Sequence, residues 1–351
     1  MAQSIGVIGA GAWGTAVAMS LARSGHEVEI WALEADVVES INTKHENTRY
    51  LPGYGTPENL VASSDIKKVA TDKQFLILAS PSLYLARTMA GLLDVPNIKN
   101  GTTCIGVLTK GFIPSDKGPR LILETLEEVL PDSYKKNLVY ISGPSHAEEV
   151  AMGKVTGLIA ASENPMNSIR FREVLKSRGL LVFSSLDVIG VQICAAAKNV
   201  IAVAFGCLDA IAEKSEVFGD NTESLLLAAG LNEIQIIGKA LGATHPETFT
   251  SIAGVGDLDV TCRSEFGRNR RFGHDIIQQN ILDNFASLDD LINRITEIGY
   301  LPEGAVACKF VHELSEQRGL KLPICNGLYR ILNKELRPVQ FIVQLLDGIE
   351  V

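Results

Sequence analysis

The sequence predicts an α/β domain at the N-terminus and an all-α domain at the C-terminus, with the boundary between residues 187 and 188. Three observations carry this. A strand, a glycine-rich turn, a helix and a second strand follow one another within the first 31 residues. Short β-branched runs then recur up to about residue 185. From Asp187 onward the period-2 runs give way to long helical patterns.

In order, Ile5 to Ile8 is a short apolar β run, and Gly9-Ala10-Gly11-Ala12-Trp13-Gly14 follows at once. Thr15 to Ser24 has helical spacing, Gly25 stops it, and His26 to Trp31 reads as the second strand. A G-x-G-x-x-G placed between a strand and a helix is the fingerprint of a Rossmann-type dinucleotide site. Gly9 allows the tight turn, Gly11 lets a pyrophosphate approach the backbone, and Gly14 lets helix and strand pack closely. The free N–H groups at the helix start hold the anion. After the second strand, Trp31-Ala32-Leu33-Glu34 contains an acid and no arginine. An acid there suits the ribose hydroxyl of NAD, whereas an arginine suits NADP. Glu34 also fits as the residue that opens the next helix.

Residues 75–80, 103–111, 138–145, 157–162 and 181–185 read as further strands. Ligands of open α/β sheets bind beyond the carboxyl ends of strands. Lys110, Ser142, Gly143 and Ser145 stand at such ends. In the second domain the helical patterns cover Val188–Ile211, Thr222–Leu241, Leu288–Ile298 and Ala305–Gln317.

Lys198 is the anomaly of the first of these helices. Its neighbours three, four and seven residues away are Val191, Cys194, Ala195, Ile201, Ala202 and Phe205, all apolar. Either the lysine snorkels past them to the surface, or it lines a pocket where burial serves acid–base chemistry. Gln192 and Asn199 share an adjacent face. Further on, Gly254-Val255-Gly256-Asp257 reads as a tight turn carrying a carboxylate, and Arg263, Arg268, Arg270 and Arg271 cluster within nine residues. Such a cluster is either a solvated face or, through Gly267-Arg268-Asn269, a site for a phosphate monoester.

Composition narrows the function. The 351 residues are 46% hydrophobic and 21% charged, as in a folded globular protein. The formal charge of −9 argues against nonspecific nucleic-acid binding. No apolar run reads as a membrane span, because Gln192, Lys198, Asn199 and Asp209 interrupt the longest. The N-terminus lacks the basic region of a signal peptide. Six cysteines without C-x-x-C spacing, and six scattered histidines, fit a reducing cytoplasm better than a disulfide framework or a metal site.

Taken together, "GAGAWGTAVA" (9–18), "KG" (110–111), "SGPSHAEEV" (142–150), "KNVIAVAFG" (198–206), "GDNT" (219–222), "AGVGDLDVTC" (253–262), "GRNRRFG" (267–273) and "PEG" (302–304) resemble the NAD(P)-dependent glycerol-3-phosphate dehydrogenases over nearly the whole chain. The resemblance implies a reversible reduction of dihydroxyacetone phosphate to sn-glycerol 3-phosphate, with Lys198 as general acid/base. It implies that Lys110, Gly143, Ser145, Asn199, Asp257, Thr261, Gly267, Arg268 and Asn269 line the substrate site with Lys198, Arg268 meeting the phosphate. It assigns Gly9, Gly11, Ala12, Trp13, Gly14, Lys110, Ala147, Arg268, Leu301 and Glu303 to NAD or NADP. It further implies a cytoplasmic homodimer that supplies glycerophospholipid synthesis. The chain departs from the family pattern at Ala195, often glycine, at Gly267, serine in many bacterial members, and at Pro302, where "VEG" is more usual.

Overall fold

The computed structural model of the protein describes residues 2–113 and 118–347. They divide into two compact units, one running to Ile113 and resuming over Leu121–Val191, the other ending a short segment at Arg120 and resuming at Gln192.

The first unit is built on an eight-stranded sheet. Its strands are β1 (Ser4–Ile8), β2 (Glu27–Trp31), β3 (Leu60–Ser63), β4 (Phe75–Leu78), β5 (Cys104–Val107), β6 (Val139–Ser142), β7 (Thr156–Ala161) and β8 (Leu180–Ser185). Their order across the sheet is β8-β7-β6-β5-β4-β1-β2-β3. The stretch from β3 to β6 has the 3-2-1-4-5-6 order of dinucleotide-binding sheets. Every neighbouring pair is parallel except β6 and β7. The central strands β1, β4, β5 and β6 are apolar on both faces, as a parallel sheet covered by helices requires.

Helix α1 (Ala12–Arg23) packs Ala16, Val17, Met19 and Leu21 into the core of this unit. Sequence periodicity starts this helix three residues late, because Ala12-Trp13-Gly14 belongs both to the glycine motif and to the first turn. Helix α2 (Ala35–Lys44) follows β2 directly, with Glu34 as its N-cap residue. A short hairpin, Glu46–Asn47 with Leu51–Gly55, comes next. Neither the hairpin nor β3 was expected: the hairpin carries Pro52, Gly53 and Gly55, and β3 is only four residues long.

The second unit is helical: α3 (Val188–Ala212, from Gln192 onward in this unit), α4 (Asp220–Leu241), α5 (Asp257–Arg263), α6 (Arg268–Gln278), α7 (Glu303–Arg318), α8 (Pro323–Leu332) and α9 (Pro338–Asp347), with shorter helical pieces between them. α3 and α4 are both long and apolar enough to cross a membrane by length and composition, which corrects the expectation of no such segment. In α3, 89% of that stretch is buried, so its apolar surface is consumed as core; in α4 the share is 33%. Two further expectations are corrected. Leu288–Ile298 is not one helix: Leu288–Asn293 is α-helical and Ile295–Ile298 is a 3₁₀ turn. Gly254–Asp257 is not a tight turn. Ile252–Gly256 forms a π-helical turn that runs into α5, and Asp257 opens that helix.

One buried carboxylate organises the outer helices. Glu233 of α4 accepts hydrogen bonds from the backbone N–H of Ile324 (2.6 Å) and Cys325 (3.0 Å), capping α8. Burial pushes its pKa above the usual glutamate range, against the two N–H donors. Glu233→Ala leaves two buried donors unpaired, at about 1–3 kcal/mol each, and thermal unfolding will register the loss. Because the folded-state pKa is raised, this group's own contribution is most favourable at acid pH. It declines as pH climbs through the folded-state value.

Candidate active site

The phosphate loop of the first unit has the mechanics its sequence predicts. Gly9 adopts φ 119°, and a methyl group on it would lie 2.9 Å from the backbone of Ala79. One on Gly14 would lie 2.0 Å from the Gly9 carbonyl oxygen. A methyl on Gly11 would meet nothing within 4 Å. The first and third glycines thus serve protein packing, whereas the second faces open space. Gly11 is also the N-cap residue of α1 and offers no side-chain cap, so the first-turn amides are left for a ligand. These features fit a dinucleotide pyrophosphate. Ala12 and Trp13 pack partly buried against the core, and the Trp13 indole N–H is buried with no hydrogen-bond partner.

Asn47, which the sequence did not single out, buttresses this loop. Its side-chain N–H₂ donates to the Ala10 carbonyl oxygen and to Thr15 Oγ1, both at 2.8 Å, and its Oδ1 accepts from Tyr50 N–H at 3.0 Å. Past the end of β2, Glu34 bears out one of its two readings, as the residue at the start of the next helix. Its carboxylate accepts the Tyr50 hydroxyl at 2.7 Å. Burial and then this carboxylate raise the Tyr50 pKa. The guanidinium of Arg49 stands 5.4 Å from the Tyr50 ring centroid and pairs with Asp36 at 3.5 Å. An arginine therefore does stand near the end of β2. It arrives from the hairpin fifteen residues after Glu34, too far along the chain for the local sequence after β2 to reveal.

At the ends of β5 and β6, Lys110 Nζ donates to the Gly143 carbonyl oxygen at 3.3 Å, and Ser145 Oγ donates to the same oxygen at 3.0 Å. Gly143 has φ 141°, and a methyl there would lie 2.5 Å from the Gly157 carbonyl oxygen. These three expected residues form one cluster. Ala147, at the head of the helix that follows, is buried in the core.

In the second unit Lys198 does not snorkel, since it is 5% exposed. Its Nζ donates to Asp257 Oδ1 and to Thr261 Oγ1, the latter at 2.9 Å. Thr261 spends its own hydroxyl proton on the Asp257 carbonyl oxygen at 2.6 Å, so its oxygen is set to accept from the lysine. Asp257 is 1% exposed. A buried ammonium and carboxylate with hydrogen-bonded neighbours are mutually dependent, because either alone would be an uncompensated charge in low dielectric. The π-helical turn before α5 supplies the register. A methyl on Gly254 would lie 1.9 Å from the Phe249 carbonyl oxygen, so a glycine is needed where that turn folds back.

Beside the lysine runs an amide chain. Gly304 N–H donates to Asn269 Oδ1 at 2.8 Å, and Asn269 Nδ2 donates to Asn199 Oδ1 at 3.0 Å. The backbone N–H at one end fixes the orientation of both amides. Asn199 Nδ2 is then left as a buried donor without a hydrogen-bond partner, in a residue 4% exposed. Such a group calls for a polar partner. Arg268 opens α6 and is exposed, and its N-cap residue Gly267 contributes no side-chain cap. A guanidinium beside uncapped helix amides has the donor chemistry that a phosphate takes. Arg263, Arg270 and Arg271 are otherwise engaged. Arg263 pairs with Glu223 and Asp259, Arg270 with Asp209, and Arg271 with Asp275. The arginine cluster thus contributes one guanidinium without an ion-pair partner among the described residues, Arg268. Leu301 and Glu303, half-buried, lie where the chain enters α7.

Comparison with known proteins decides the family. The model of the N-terminal part of NAD-dependent glycerol-3-phosphate dehydrogenase matches residues 4–168, and that of its C-terminal part matches residues 187–343. The chain belongs to the NAD-dependent glycerol-3-phosphate dehydrogenase family. A glycerol-3-phosphate dehydrogenase (NAD(P)+) of Treponema denticola is 62% identical, covering 99% of each chain. One of Treponema pallidum is 56% identical over 98% of this chain and 99% of its own. The crystal structure of glycerol-3-phosphate dehydrogenase from Coxiella burnetii superposes with a TM-score of 0.85 at 31% identity, covering 99% of both chains. Both units of the chain fall within the family match, so the phosphate loop and the Lys198 cluster are parts of one glycerol-3-phosphate dehydrogenase family protein.

Proposed function

We infer that the protein interconverts dihydroxyacetone phosphate and sn-glycerol 3-phosphate with NAD(H) or NADP(H), and that this supplies glycerophospholipid synthesis. The observation that carries the reading is the buried Lys198, held by Asp257 and Thr261 in a unit that also presents Arg268. The dinucleotide, when bound, supplies or accepts the hydride. Lys198 delivers a proton to the ketone oxygen as the carbonyl carbon is reduced, and removes it from the C2 hydroxyl in the reverse direction. Asp257 and Thr261 orient its Nζ. Asn199 Nδ2 donates to a substrate oxygen. Arg268, Asn269 and the amides after Gly267 take the phosphate. Lys110, Gly143 and Ser145 add substrate contacts, Lys110 also meeting the cofactor. The cofactor residues we assign are Gly9, Gly11, Ala12, Trp13, Gly14 and Ala147 in the first unit, and Arg268, Leu301 and Glu303 in the second.

For the cofactor's ribose we favour NAD, on the carboxylate of Glu34 at the end of β2. Arg49, beside Tyr50, offers a guanidinium for a 2′-phosphate, so NADPH is used with lower kcat/KM. A cytoplasmic homodimer belongs to the same reading; the six cysteines, all free and buried, support a reducing compartment.

Oxidation of NADH and NADPH followed at 340 nm tests this. Dihydroxyacetone phosphate is expected to turn over and unphosphorylated dihydroxyacetone to be nearly inert. Equal turnover of both ketones would remove the phosphate site, and turnover of neither would remove the reaction.

A further inference from the structure

The segment Gly299–Gly304 is tied to α6 at both ends. At its far end Gly304 N–H is held by Asn269, as described above. At its near end Tyr300 donates its hydroxyl to Asp275 Oδ2 on α6. The Arg271 guanidinium lies 4.5 Å from the Tyr300 ring centroid, and its Nε is 3.8 Å from the same carboxylate oxygen. The other carboxylate oxygen of Asp275 accepts from Gln279 at 2.8 Å. Asp275 is 7% exposed, so the clamp is built around a buried acid whose oxygens are both engaged. Burial and the Asp275 bond raise the Tyr300 pKa, which keeps the phenol a donor.

Within the segment, Glu303 N–H donates to the Leu301 carbonyl oxygen at 3.1 Å. Gly299 takes a left-handed φ of 83°, and Pro302 has no N–H of its own to offer. Leu301 and Glu303 lie between the ties. The helix that holds both is also the one that begins with Arg268. One rigid element therefore sets the placement of the phosphate guanidinium and of the segment carrying Leu301 and Glu303.

We propose that Tyr300 is a positioning residue for the cofactor, holding Leu301 and Glu303 in register with α6 through Asp275 and Arg271. This rests on the reading above that Leu301 and Glu303 meet the dinucleotide. Releasing one tie lets the segment sample other positions, and the apparent dissociation constant rises by the inverse of the competent fraction. A hydrogen bond to a charged group is strong enough for a change of about tenfold.

The test uses the full-length enzyme and NADH as probe. Tyr300→Phe keeps the ring under Arg271 and removes only the hydroxyl. Its NADH Kd is expected to rise about tenfold while KM for dihydroxyacetone phosphate holds, because the Asn269 tie is intact; Tm falls modestly, since Asp275 Oδ2 loses its hydroxyl donor. Tyr300→Ala, which also loses the cation–π contact, is expected to be weaker still for NADH. An unchanged Kd in Tyr300→Phe would overturn the proposal. So would a rise in Kd matched by an equal rise in KM for dihydroxyacetone phosphate, which would mark a merely structural residue. Glu303→Ala separates the two layers of the argument. If it raises the NADH Kd and Tyr300→Phe does not, the positioning role alone fails. If Glu303→Ala has no effect, the cofactor reading of the segment fails and the proposal with it.

Discussion

Lys198→Ala is expected to lower kcat by about two to four orders of magnitude, the usual worth of a positioned general acid, while NADH still binds. The substitution has a second consequence. It strands Asp257, 1% exposed, as a buried carboxylate without its cation. Removing one partner of a buried pair costs about 3–5 kcal/mol, so the single variant confounds catalysis with folding. The double variant Lys198→Ala/Asp257→Asn resolves this by withdrawing both charges. Thermal unfolding should recover toward wild type in the double variant, and turnover should not. If turnover recovered with stability, the lysine would be a structural ion-pair partner and the proton would have another source.

Arg268→Ala is expected to raise KM for dihydroxyacetone phosphate about tenfold to a hundredfold, the worth of one charged hydrogen-bonded contact to phosphate. Tm should hold, because this side chain is exposed at the start of α6. Arg268→Lys should recover part of the loss, since an ammonium supplies the charge without the two-pronged donor geometry. Variants of Arg270 make the contrast. Its guanidinium is committed to Asp209, so Arg270→Ala acts first on stability. An Arg268→Ala enzyme with an unaltered KM would place the phosphate elsewhere.

The sequence carried the parts of this protein whose signal is local. The strand–glycine–helix opening, the order of the long apolar runs and the change of texture after residue 186 each rest on neighbours within a dozen residues. Lys198 was legible as an anomaly for the same reason, because its own helix face lacks polar company. What its charge faces was not legible from the residues alone. Asp257 and Thr261 lie 59 and 63 positions away, brought in by a π-helical turn that resembles an ordinary glycine-rich turn in sequence. Arg268 could not be told from Arg263, Arg270 and Arg271 by spacing; only their partners separate them. Asn47 and Arg49 were invisible because a hairpin with two-residue and five-residue strands has no period to detect. Tyr300 has no motif at all, and its meaning comes entirely from Asp275, 25 residues earlier.

The six buried thiols make the protein its own unfolding sensor. Cys104 belongs to the first unit, and Cys194, Cys207, Cys262, Cys308 and Cys325 belong to the second. Burial pushes the thiol pKa up to about 11 at Cys104 and about 12 at Cys207 and Cys262. Thiols are reactive only as thiolates in contact with solvent, so an alkylating reagent is silent toward the native protein and reads each cysteine as its surroundings open. Cys104 clocks the opening of the sheet, and the other five clock the helices, without a label having to be engineered. Loss of activity on warming or in denaturant can therefore be assigned to one unit or the other by which thiol reacts first.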